Sequence, residues 1–194
     1  MFRWFRKTLT VEEQYHKVKN IGIVLNPGIS LDQVISDFRR EEYEEKPYYL
    51  LFIAMGSELA SNGNSFLYAS DDFWHFDREC IEDHGDYIPI IKRIAEILKD
   101  EFIVNEISDY VDIENNEIWV SFKINGNTYK YELLADDDWL DISIFKLFSE
   151  LLEKHGSKRR FYYFDLGQGM LVGAYNKERW KSLNKLTNIW IPVT

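Results

Sequence analysis

The chain has 194 residues, a formal net charge of -10 and a sequence pI near 4.9. So acidic a surface repels phosphate backbones, and basic residues gather only at Arg3, Arg6 and Lys7 and at Lys158, Arg159 and Arg160, which excludes nucleic acid as the expected partner. With 45% hydrophobic and 16% aromatic residues the chain can pack a core, which excludes general disorder.

Thr10, with Glu13 three residues on, reads as a capping box opening a helix that fades near Asn20-Ile21-Gly22. Asn26-Pro27-Gly28 is a turn, and Ser30 caps a second helix carrying Leu31, Val34, Ile35 and Phe38. A charged run over residues 39–46 stops at Pro47. Residues 48–55 are continuously apolar and rich in aromatics, the pattern expected of a central strand buried on both faces. Residues 61–64 form a loop and Phe66-Leu67-Tyr68 a short strand. Pro89 then falls in the first turn of a helix whose buried stripe is Ile91, Ile94, Ala95 and Leu98. Residues 102–113 read as a strand with a polar interruption.

Local signals agree best over residues 117–156. Ile118, Val120, Phe122 and Ile124 alternate with Trp119, Ser121 and Lys123, the period of a strand with one buried face. Asn125-Gly126 tolerates the positive φ of a type I′ turn, and the return strand places Tyr129, Tyr131 and Leu133 on one face. Asp141 is placed to cap a helix with Ile144, Phe145, Leu147, Phe148, Leu151 and Leu152 on one side, closed by His155-Gly156. A second hairpin follows over residues 160–175 through Gly167-Gln168-Gly169, then a helix capped by Asn176 and a short strand or tail at Ile189-Trp190-Ile191. The order after Pro89 is α-β-β-β-α-β-β-α. The expected fold is α+β: one domain over residues 1–194, mainly antiparallel sheet with helices packed on one face of it, residues 1–9 forming a flexible N-terminal arm.

Residues 71–86 hold the usual metal-ligand types, with His75 two residues from Asp77, then Cys80, Asp83, His84 and Asp86. A transition metal would need these to converge, and Cys80 as a nucleophile would need His75 or His84 as base. No finger, metallohydrolase or EF-hand spacing is present, and no Gly-x-Ser-x-Gly elbow or phosphate-binding loop occurs. The bland reading of the segment is an acidic surface loop held down by Phe73, Trp74, Phe76 and Ile81. Aromatics beside carboxylates (Trp74, Trp119 and Trp139) fit a protein-binding surface better, because they join anchor area to charge steering.

Three stretches carry a resemblance: Trp74-His75-Phe76-Asp77-Arg78-Glu79-Cys80-Ile81-Glu82-Asp83, Asp137-Asp138-Trp139-Leu140-Asp141 and Phe161-Tyr162-Tyr163-Phe164-Asp165-Leu166-Gly167-Gln168-Gly169. In style, length and acidity the chain is similar to bacterial immunity proteins of polymorphic or contact-dependent toxin systems. That resemblance implies a cytoplasmic inhibitor that binds a cognate toxin domain, often a basic nuclease.

The expected function is therefore protein binding, without catalytic residues, metal or cofactor. Asp71, Asp72, Asp77, Asp83, Asp86, Asp136, Asp137 and Asp138 would steer a partner, and Trp74 and Trp139 would anchor it. The alternatives are a small metal- or cysteine-dependent enzyme centred on His75, Asp77, Cys80 and His84, and an oligomeric structural protein that buries the same aromatics. Cys80 is the only cysteine, so no internal disulfide forms, which fits a reducing cytoplasm. No apolar run is long enough to span a bilayer, and the first seven residues lack the features of a secretory signal.

Overall fold

The computed structural model describes residues 8–59 and 67–193. The seven N-terminal residues of the expected arm, the expected loop at 61–64 and Phe66 lie outside them. Helix α1 (Val11–Asn20) opens on the Thr10–Glu13 capping box, and α2 (Leu31–Val34) on Ser30 with Gln33. Unlike the expected longer helix, α2 stops after one turn, and Phe38 is 49% exposed. The charged run then forms its own helix, α3 (Arg40–Glu45), burying Tyr43.

Residues 48–55 are a correction. They form α4 (Tyr49–Gly56), not a strand. An apolar run this short has no periodicity to separate a strand from a helix that is covered on most sides. Leu51, Phe52 and Met55 are fully buried, and Gln14 of α1 fixes the helix start by accepting the Tyr48 N–H at 2.7 Å. Gly56 is required there, since a Cβ would stand 2.8 Å from the His75 backbone nitrogen.

Strands β1 (Glu58–Leu59) and β2 (Leu67–Tyr68) form a small antiparallel pair. Residues 74–77, read as part of a surface loop, are strand β3 (Trp74–Asp77). Helix α5 (Tyr87–Ile97) leads into a three-stranded antiparallel sheet in the order β4 (Val104–Asp112), β5 (Glu117–Ile124), β6 (Asn127–Leu133). The expected polar interruption in β4 is a register shift between Asn105 and Ser108. Asn125 and Gly126 take φ of 51° and 81°, as the turn requires. Helix α6 (Ser143–Lys154) ends in a Schellman motif, with Ser157 N–H on the Leu152 carbonyl and Gly156 N–H on that of Glu153. The chain closes with β7 (Arg160–Leu166), β8 (Gly169–Tyr175), α7 (Lys177–Thr187) and β9 (Ile191–Pro192).

A four-stranded antiparallel sheet in the order β3-β8-β7-β9 sits at the centre. Successive β8 residues point into two different cores. Met170, Val172 and Ala174 join α5, α6 and β5, while Leu171 and Tyr175 join α1, α4 and α7. The central sheet is thus covered on both faces, where the sequence led us to expect helices on one. Helix α6 is the inner layer beyond it: Phe145 packs on Phe161 and Trp74, and Phe148 stacks on Phe122 of β5 at 5.1 Å. Among the described residues no helix is long and apolar enough to cross a membrane.

Candidate functional site

The two acidic segments flagged in the sequence meet at one corner. Past β3, Arg78 donates its N–H to the Gln168 carbonyl in the β7–β8 turn. The chain then changes partner: Cys80 and Ile81 both donate to the Asp138 carbonyl at 2.9 Å, and Leu140 donates to the Arg78 carbonyl at 2.8 Å. Asp137 adopts φ of 55°, which folds residues 136–139 into a tight corner. Asp77, Glu79, Asp136 and Asp137 are exposed there, and Asp138 is half-buried. Trp139 is also half-buried, with the Arg78 guanidinium 4.8 Å from its ring centre. Gln168 reaches Glu79 at 2.7 Å, and Asp165 lies 4.0 Å from Arg78.

One arginine thus faces a cluster of carboxylates, and that imbalance sets the local field. Its effect shows at Cys80. Burial, reinforced by Asp77, Asp86 and Asp138, pushes the thiol up to about 11. That direction opposes a nucleophilic role, which needs thiolate at neutral pH.

The other predicted residues separate into structural duties. Trp74 is 6% exposed and stacks on Phe76 at 4.0 Å inside the core, so its expected role as a surface anchor is corrected. Asp71 and Asp72 also leave the proposed steering surface. Asp71 accepts from Arg93 at 3.2 Å, Lys99 at 2.7 Å and Asn26 at 3.0 Å. Asp72 accepts the Val24 N–H at 3.0 Å and contacts Arg179 at 3.3 Å. Arg93 is 2% exposed and stands 3.6 Å from the Tyr68 ring centre. A cleft of about 330 Å³ beside this network is lined by Lys99, Arg159 and Arg179, but each contacts a carboxylate. No free basic site results.

Asp86 takes the N–H groups of Glu82 and Asp83 at 2.8 Å, which shapes the approach to α5, while Asp83 stays exposed. His84 accepts the Val111 N–H on Nδ1 at 3.0 Å. His75 instead pairs its Nδ1 with the Ser57 hydroxyl at 3.2 Å, and burial holds it below the ordinary histidine range, against an opposing pull from Asp77. The two histidines are thus engaged on different elements, His75 with Ser57 after α4 and His84 with β4. Among the described residues no three His, Cys, Asp or Glu side chains are grouped so as to hold a metal ion. Compared with family models, curated proteins and solved structures, the chain matches none.

Sequence reasoning missed Arg78, Glu79, Asp165 and Gln168 as members of the corner. No local signal announces that residues 78–81 pair with residues 138–140. It also missed Asp109, whose carboxylate accepts the Gly85 and Tyr87 N–H groups at 2.8 and 2.9 Å and so caps α5 from a different strand.

Proposed function

We propose that the protein is an acidic protein-binding module that inhibits a basic partner, with an immunity-type role against a toxin domain as its specific form. The observation that carries this reading is the joining of residues 77–79 and 136–139 at one corner, carboxylates around a half-buried tryptophan. Surface carboxylates act over roughly a Debye length, about 8 Å at physiological salt, so their main effect is on encounter rate. Trp139 supplies an apolar anchor already seated beneath Arg78, and an anchor held before binding loses less entropy on association.

The test uses a panel of purified basic nuclease toxin domains, with binding kinetics and nuclease inhibition measured at low and high salt. We expect a member of the panel to be bound and inhibited, with association slowing as salt rises. The Asp136→Asn, Asp137→Asn, Asp138→Asn triple variant should associate about tenfold more slowly and lose most of that salt dependence. Association unaffected by both salt and the triple variant would refute the steering role of this corner.

A further inference from the structure

The three-stranded sheet has two outer edges, and the described residues treat them differently. Along β4 the His84 imidazole takes the Val111 N–H, and the Asp109 carboxylate pins Gly85 and Tyr87 against the strand. That strand is also broken by the shift between Asn105 and Ser108. Shifts and covering loops are the usual protections of a sheet edge. Strand β6 has neither. It pairs with β5 without a register shift from Asn127 to Leu133 and contains no proline.

The two-residue turn makes Ile124 and Asn127 a hydrogen-bonded pair, and pairs alternate from there. Asn127, Tyr129, Tyr131 and Leu133 therefore bond inward to β5. Thr128, Lys130 and Glu132 turn their N–H and C=O groups outward, and all three residues are exposed. Among the described residues no group outside the strand ladder bonds to them.

We infer that this edge binds a second copy of the chain, β6 against β6 in antiparallel register centred on Tyr131. An antiparallel strand meeting its own copy must place outward groups opposite outward groups, so only even register sums are allowed. Centring on Lys130 sets lysine against lysine, and centring on Glu132 sets glutamate against glutamate. Centring on Tyr131 sets Lys130 of each copy opposite Glu132 of the other, twice by symmetry, with Tyr131 beside Tyr131 and Tyr129 beside Leu133. Lys130 is already held on the solvent face, its ammonium 3.9 Å from the ring centre of Trp119, the residue opposite Glu132 in the ladder. The same register brings Leu134, 71% exposed, opposite Thr128 of the second copy. This interface does not rest on the acidic corner.

Sedimentation and light scattering on the full chain test the assignment. We expect a dimer. Lys130→Glu and Glu132→Lys should each weaken it about tenfold or more, and the combined K130E/E132K exchange should restore it. Hydrogen exchange on the unaltered protein adds a readout free of folding artefacts: amides of Thr128, Lys130 and Glu132 should be protected at high concentration and lose protection on dilution. A monomer at all concentrations, or a dimer indifferent to both single reversals, overturns the proposal. So does failure of the double exchange to recover association.

Discussion

Adjacent carboxyls in this protein are shifted in opposite directions, Asp71 down and Asp72 up. Burial works to raise Asp71, but hydrogen bonds from Lys99, Asn26 and Arg93 prevail and hold it below the ordinary value of 3.8. At Asp72 burial wins over the Val24 N–H and Arg179, and the carboxyl is raised. Its own backbone carbonyl takes the hydroxyl of the fully buried Tyr175 at 2.6 Å, which keeps the carboxyl seated in the cleft wall. The signs follow from linkage. A depressed carboxyl contributes stability above its unfolded value, and that contribution is lost as pH falls below 3.8 through the folded value. A raised carboxyl favours the unfolded state at neutral pH, and the penalty is relieved as pH falls through its folded value. Asp71→Asn should therefore flatten the acid side of the stability profile, and Asp72→Asn should steepen it. Melting temperatures from neutral pH down to about pH 3 would show this, and equal slopes for both variants would contradict it.

Elements here are tied together by side chains that reach across the chain. The first turn of α5 offers free N–H groups, and Asp86, the residue before it, does not cap them. It is occupied with Glu82 and Asp83. Asp109 of β4 supplies the capping oxygens instead, so helix start and sheet edge are one unit. Asp109→Ala should destabilise the protein by about 1–2 kcal/mol, the range for losing a helix cap. Urea unfolding measures the loss, and exchange of the Gly85 and Tyr87 amides should accelerate first. If Asp109→Ala leaves both stability and those amides unchanged, the cross-strand cap is not what holds α5.

At the scale of the whole molecule, β8 makes two cores interdependent. Met170 and Leu171 are neighbours, fully buried, and belong to opposite cores. Each truncation to alanine should cost about 2–5 kcal/mol. Because the strand cannot leave one core and stay in the other, both variants should melt in a single calorimetric transition at lower temperature. A split transition in either variant would mean that the cores unfold separately.

The hairpin over residues 117–133 and the close of α6 at Gly156 folded as their pattern indicated because what decides them is local. The N-cap of α6, by contrast, is Ile142 rather than the expected Asp141, whose carboxylate takes the Ser143 N–H. Alternation picks the buried face of β5, Asn125-Gly126 takes the turn, and Gly156 takes the left-handed position after α6. The α+β class followed from the same signals. Tertiary structure alone decided the rest. Residues 48–55 became a helix because Phe73, Trp190 and Leu171 surround them, and an unbroken apolar run carries no period to say so. Trp74 went inside because β3 pairs with β8, a partner almost a hundred residues along the chain. Asp71 and Asp72 read as surface charge, yet their cations arrive from α5, residue 99 and α7. The acidic corner depends on two segments about sixty residues apart sharing one carbonyl, that of Asp138. Periodicity and caps act within a few residues of themselves, whereas strand partners and ion pairs are chosen by the packing of the whole chain.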